Sequence, residues 1–405
     1  MGYTKDAVRG FSWQSAATLL STGITAGKLI VLARLLTQQD FGLFALISIA
    51  LGLTEAITQT GINITIIQSS KPITYYLNTA WVIAIIRGFV IAIIMGLMGI
   101  SMATIYHEPT LIYLVAIAGI VPIIKGFINP AITSWQKNLQ FGIDSSYRLS
   151  LVAVEALSAI LLALIWPRVE VLIFSVLVAA VFEVTISFGL LKLKPAFMLS
   201  KNKAQEILLN ARGLSLTSAL DYFTENVDEI ILGRTLGTSH LGTYHAGYSL
   251  SHRPTVGLAQ ALNHSTLPVF TKIGADRNRL RRAFIKSSGN LMLLSSLAAV
   301  PLIFFPDPII MFVLGNKWMS LSPVLPWLGM AGISQTIIKL AYNLLISQKS
   351  YRLMNWHRAL TLIILAPLLI SLSQHYGLTG AGIAWVIARL LPLPLLLFAI
   401  IKILK

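Results

Sequence analysis

The sequence predicts an all-α integral membrane protein: twelve transmembrane helices in two six-helix halves, related by a parallel repeat, with a central cavity between the halves. Three observations lead there. The 405 residues are 56% hydrophobic and only 11% charged, with a mean hydropathy of +0.77, whereas a soluble domain carries roughly 25% charged residues. Apolar segments, each near the ~20 residues that a bilayer span requires, follow one another with short breaks. Two stretches in the two halves of the chain repeat the same residues in register.

The first six segments run over about Phe11–Leu35, Phe41–Ile67, Ala80–Ile105, Leu111–Trp135, Leu149–Trp166 and Val169–Leu191. The second six run over about Leu214–Leu236, Leu241–Phe270, Ser288–Phe305, Pro323–Ile346, Arg358–Ser373 and Thr379–Leu404. The breaks carry turn residues, as in TQQD, YHEP, WPR and QHYG. The first segment is long and lacks a small-x-small cleavage site, so no cleavable signal peptide is expected. There is no cysteine, which excludes disulfides and thiolate metal sites.

The net charge is +16, and its placement is informative. Of the 31 Lys and Arg residues, 21 fall in one set of alternate loops and ends, and four fall in the other. The positive-inside rule then puts both termini in the cytoplasm, and twelve spans keep the alternation consistent. The basic excess is a topology signal with affinity for anionic membrane lipids, and nucleic acid is not expected as a partner. The longest loop, near Leu191–Arg212, has about 20 residues, which leaves no room for a globular catalytic domain.

The repeat sets IVLARLLTQQDFGLFAL, around Ile30, against IILGRTLGTSHLGTYHA, around Ile230. Leu32 meets Leu232, Arg34 meets Arg234, Leu36 meets Leu236, Gly42 meets Gly242 and Asn63 meets Asn263 without a gap. The halves are therefore residues 1–200 and 201–405, both running in the same direction.

The seventh segment carries a polar stripe at steps of three and four: Ser215, Ser218, Asp221, Tyr222, Glu225, Asp228 and Glu229. Leu216, Leu220, Phe223, Val227 and Ile231 form its other face. A carboxylate at the centre of a membrane helix costs roughly 2.5–3.5 kcal/mol, so four on one helix point to a wet cavity. The first segment repeats the pattern more weakly with Ser15, Thr18, Thr22, Thr25 and Lys28, where packing between helices through small polar groups is an equal reading.

Six basic residues lie inside the expected spans: Lys28, Arg87, Lys125, Arg253, Lys339 and Arg389. Intramembrane charges are candidate functional groups. The plainer readings are snorkelling, for Lys28 and Arg87, and structural salt bridges to Glu55, Glu155 or Glu183. Arg253 precedes the helix-breaking Pro254, and Lys125 lies in VPIIKGFINP, whose prolines and glycine loosen the helix. No HExxH, P-loop, GxGxxG or GxSxG occurs, so neither an enzyme nor an ATP-driven pump is expected.

LARLLTQQDFGLFAL followed by GINITIIQ resembles the first two helices of bacterial polysaccharide flippases of the Wzx type. These form the polysaccharide transport family of the multidrug/oligosaccharidyl-lipid/polysaccharide superfamily. DYFTENVDEIILGRTLGTSHLGTYHAGYSL, LPVFTKIGADRNRLRRAF and LGNKWMSLSPVLPWLGMAG are similar to the matching parts of the second half. SHRPT departs from the pattern, so His252 and Arg253 are particular to this chain. The resemblance implies translocation of undecaprenyl-pyrophosphate-linked oligosaccharide across the bacterial inner membrane, for O-antigen, capsule or exopolysaccharide. It implies H+ or Na+ coupling, no other cofactor, and a polysaccharide polymerase and chain-length regulator as partners. On that reading Arg253, Lys125, Arg389, Lys339, Lys28, Arg87 and His252 bind pyrophosphate or sugar in a largely basic cavity. Asp221, Glu225, Asp228, Glu229 and Glu55 then serve as charge partners or coupling groups. The rivals are a cation-coupled multidrug exporter of the same superfamily and a membrane polysaccharide polymerase or ligase.

Overall fold

The computed structural model describes residues 2–58, 61–252, 255, 266–267 and 269–404, with the backbone alone at 2–12, 15, 64, 68 and 210–217. Every regular element among the described residues is helical. A helix satisfies its own backbone groups, which a bilayer interior demands. The chain divides into two compact units, Met1–Asn226 and Val227–Lys405.

The first unit contains α1 (Gly2–Leu35), α2 (Gln38–Ile57), α3 (Ile62–Gln68), α4 (Ile73–Tyr106) and α5 (Leu111–Ala118). It continues with α6 (Ile120–Gly126), α7 (Thr133–Lys137), α8 (Phe141–Ile165), α9 (Glu170–Leu190) and most of α10 (Lys201–Leu236). The corner before α2 is a capping box. The Asp40 N–H donates to Thr37 Oγ1 and the Thr37 N–H donates to the Asp40 carboxylate. The expected span Phe41–Ile67 is broken into α2 and α3 ahead of Gly61, whose φ of 59° suits glycine. At 1.5 Å per residue the 34 residues of α4 reach about 51 Å, more than the hydrocarbon core. Helix α4 packs on α5 and α6, and α1 packs on α8. Gly126 lies against the backbone of Ala84 and Ile85, and Gly88 against the carbonyl of Pro122, so two glycines let α4 and α6 approach closely. The fourth expected span is bent by 66° where a 3₁₀ turn starts at Pro130. Proline at the first position has no N–H to satisfy, and Asn129 Oδ1 caps the turn by accepting from the Ala131 N–H.

The second unit holds α11 (Thr238–His252), α12 (Arg277–Phe304), α13 (Pro306–Val313), α14 (Leu325–Ser347), α15 (Tyr351–Leu390) and α16 (Leu393–Leu404). Helix α14 is central, packing on α11, α12 and α15. Gly377, at φ 58° and ψ −139°, kinks α15.

Seven helices of the described residues are long and apolar enough to cross a membrane, or eight if the bent pair counts as one span. Tyr351–Leu404 counts once there despite its kink. Helix α10 falls short because of its charged residues, and α14 carries Gln335, Lys339 and Asn343 among its apolar residues.

Candidate functional site

A cavity of about 730 Å³ lies within the first unit. Six helices contribute charge to its wall: Glu55 from α2, Arg87 from α4, Lys125 from α6, Arg148 from α8, Glu183 from α9, and Asp221 and Glu225 from α10. Apart from α10 these helices are mostly apolar, so the charged lining lies behind an apolar outer surface. The exposed Ile86, Val90, Ile93 and Leu97 of α4 show that outer surface.

The cations are held in place by their neighbours. Arg87 Nη2 donates to the Glu55 carbonyl at 2.7 Å, and its Nε donates to Thr58 Oγ1 at 3.2 Å. That fork uses the C-terminal end of α2, where carbonyls lack helical partners. Lys125 Nζ is 3.9 Å from Glu55 Oε1. Arg148 Nε pairs with Asp144 Oδ2 at 3.0 Å, one turn earlier. Tyr147 donates its hydroxyl to Glu183 Oε1 at 3.3 Å. Tyr222, between the two cavity carboxylates of α10, donates its hydroxyl to the Ser48 carbonyl at 3.1 Å.

Four expected site residues besides Glu55 therefore share this cavity: Arg87, Lys125, Asp221 and Glu225. Arg148, Tyr147 and Glu183 join them. Arg148 lies just ahead of the expected span Leu149–Trp166, but α8 begins at Phe141 and brings Arg148 into the helix. The spacing of Asp144, Arg148 and Leu151 along one helix face was the available signal. The lining is not largely basic: three cations face four carboxylates, because the other expected cations lie elsewhere or outside the described residues. Lys28 is not among the lining residues and pairs with Glu155 at 2.7 Å. Arg253 lies outside the described residues.

A second polar cluster lies in the other unit. Asp228, only 2% exposed, accepts at Oδ2 from the Tyr244 hydroxyl at 2.7 Å and from Trp385 Nε1 at 2.8 Å. Its Oδ1 is buried, with no hydrogen-bond partner among the described residues. Glu229 pairs with His245 Nδ1 at 2.8 Å. The Arg389 guanidinium lies 4.3 Å over the Trp385 ring and donates to the Ala331 carbonyl and to Gln335 Oε1. His252 stacks on Tyr248 with ring centroids 4.5 Å apart. Lys339 is half-buried on α14. The polar stripe of α10 is thus divided: Asp221 and Glu225 face the cavity, whereas Asp228 and Glu229 are buried in the second unit. No group of three or more His, Asp or Glu among the described residues has metal-site geometry.

Comparison with known proteins follows the same line. The chain is 22% identical over 405 residues to the lipopolysaccharide biosynthesis protein WzxC of Escherichia coli, covering 99% of this chain and 82% of that one. It is 24% identical over 345 residues to the teichuronic acid biosynthesis protein TuaB of Bacillus subtilis, covering 83% and 70%. Its fold superimposes on the lipid II flippase MurJ in an inward closed conformation with a TM-score of 0.75 at 14% identity, covering 96% and 88%. That overlap shows a shared all-α fold. The family described as polysaccharide biosynthesis protein matches residues 31–323. The chain belongs to that polysaccharide biosynthesis protein family, in agreement with the Wzx-type motifs of its sequence.

Proposed function

We propose that the chain is a flippase, moving an undecaprenyl-pyrophosphate-linked oligosaccharide across the bacterial cytoplasmic membrane for surface polysaccharide assembly. The observation that carries this reading is the charged cavity walled by lipid-facing helices. A polyprenyl tail can remain in the bilayer, while sugars and pyrophosphate need hydrogen-bonding groups along their path. Arg87, Lys125 and Arg148 are the cavity cations that would meet the pyrophosphate. Family membership and the MurJ-like fold support the same class of cargo.

The finer architecture belongs to this proposal: twelve spans, two six-helix halves at 1–200 and 201–405, both termini cytoplasmic, and alternating access. Helix starts at Gln38 and at Thr238, equivalent positions of the sequence repeat, support the halves. Asp228, one of whose buried oxygens has no hydrogen-bond partner among the described residues, is the proposed carrier of a coupling H+ or Na+.

The test is export in a strain lacking the gene. Replacing Arg87, Lys125 or Arg148 singly by Gln should lower surface glycan about 10- to 100-fold at equal protein level, the scale of one charged hydrogen bond. Unchanged export by all three, singly and together, would remove the cavity from the pathway. A cation-coupled multidrug exporter is the second reading, favoured by the carboxylates that outnumber the cations in the cavity. Efflux of a cationic dye by the same cells, with no effect on glycan, would select it.

A further inference from the structure

The segment between α9 and α10, Leu191–Ser200, reads LKLKPAFMLS and forms no helix, yet it is tied down at three points. Asn129 Nδ2 donates to the Leu193 carbonyl at 2.7 Å. The Ala196 N–H donates to Asn78 Oδ1 at 2.9 Å, and the Ser200 N–H donates to Thr79 Oγ1 at 3.2 Å. Phe197 also packs against Trp81, with ring centroids 4.5 Å apart and the rings tilted. Side chains thus satisfy backbone groups that no helix or strand pairs here.

What this fixed segment turns outward is apolar. Phe197 is 71% exposed, Met198 65% and Leu199 57%. Around them Lys192, Lys194 and Lys201 are exposed, and no ion pair holds them among the described residues. Glu206, the carboxylate that follows in α10, is already engaged by Tyr76 and Lys71. Lys203 lies 4.1 Å over the Tyr75 ring. The patch is therefore apolar and cationic together, and it continues the surface of α9, where Leu190 is 55% exposed. Apolar side chains entering the acyl boundary, flanked by lysines at headgroup level, are the physical pattern of an interfacial anchor. An acidic protein partner would match the lysines but would not require continuity with a lipid-facing helix.

We propose that residues 191–203 form a binding site for anionic phospholipid. Phe197, Met198 and Leu199 enter the boundary between headgroups and acyl chains, and Lys192, Lys194 and Lys201 hold the lipid phosphates. The absence of cysteine allows a direct test on the full chain. Met198→Cys carries one environment-sensitive fluorophore, and the protein is reconstituted in phosphatidylcholine vesicles with or without phosphatidylglycerol. Nitroxide lipids labelled near the headgroup should quench the probe, and more strongly with phosphatidylglycerol present. Changing Lys192, Lys194 and Lys201 to Gln should weaken the phosphatidylglycerol preference about fivefold per charge. Three results would overturn the site. One is quenching by aqueous iodide alone, which places the segment in water or against a protein. Another is a full preference retained by the triple variant. The third is a response reproduced by inorganic phosphate without anionic lipid.

Discussion

Gly52 and Tyr222 show how one residue sets the cavity wall. A β-carbon at Gly52 would collide with the hydroxyl and ring of Tyr222, whose hydroxyl donates to Ser48. Gly52→Ala should push Tyr222 from this seat and destabilise the protein by about 1–3 kcal/mol. A lowered thermal midpoint of the purified protein, partly restored by adding Tyr222→Ala, is the expected result. An unchanged midpoint for Gly52→Ala would contradict the packing. Asp228 offers a different contrast. Its Oδ2 accepts two hydrogen bonds, and an asparagine carbonyl can accept both. Asp228→Asn should therefore keep the folded amount while removing any titration at this position, so that export stops if Asp228 carries the coupling ion. Asp228→Ala orphans the Tyr244 hydroxyl and the Trp385 N–H, and should lower the folded amount itself. Asp228→Asn cells that export normally at every pH and sodium level would exclude the coupling role. The stripe on α10 made the carboxylates visible in the sequence. Which of them would be buried was not, because Tyr244 and Trp385 are distant in the chain and aromatic residues in apolar segments read as packing.

At the scale of elements, the start of α10 is strapped to the first turn of α4 and to the loop before it. Tyr76 donates its hydroxyl to Glu206, and Lys71 Nζ lies 3.2 Å from Glu206 Oε2. The Tyr76 hydrogen bond first, and Lys71 second, hold the Glu206 carboxyl below its usual value, while Glu206 raises Lys71. A depressed carboxylate pKa favours the folded state above the unfolded value of about 4.3 and loses that contribution as pH falls through the folded value. The raised lysine acts in the opposite sense: its contribution is complete below about 10.4 and is lost as pH rises through the folded value. The strap should thus be firmest between those limits and loosen in acid. Proteolysis or hydrogen exchange near Lys201–Ile207 should rise in acid in the wild type, and Glu206→Gln should show the looser behaviour already at neutral pH. An acid response identical in both proteins would refute the strap. Element boundaries were legible where hydropathy changed sharply. The prolines and glycine of VPIIKGFINP marked the weak point near Pro130, but the break between α2 and α3 and the close approach of α4 and α6 at Gly88 and Gly126 were not legible, since they depend on backbone geometry and on which helices meet.

At the scale of the whole molecule, composition alone was enough for the membrane class, and the quoted motifs were enough for the family. The composition of the cavity was not, because charge balance depends on which helices meet: Lys28 went to Glu155, while Arg148 entered the lining from outside the expected spans. Orientation rests on the distribution of the basic residues, which a chain without cysteine can report directly. Exposed positions are required, without strained backbone. Gln205 and Asn278 are exposed in the two basic regions expected to face the cytoplasm, and Asn316 is exposed in the expected outer loop. Gly315 beside it is unsuitable, because its φ of 98° strains any residue with a β-carbon. An impermeant thiol reagent should label Asn316→Cys in intact cells, and label Gln205→Cys and Asn278→Cys only after the cells are opened. Each basic residue on the wrong side would have to be carried across the bilayer during insertion, which is why 21 against four should fix a single orientation. Labelling of Gln205→Cys and Asn278→Cys in intact cells with Asn316→Cys protected would invert the topology. Labelling of Gln205→Cys but not Asn278→Cys would mean an odd number of crossings between them, against the two that the expected spans Leu214–Leu236 and Leu241–Phe270 require.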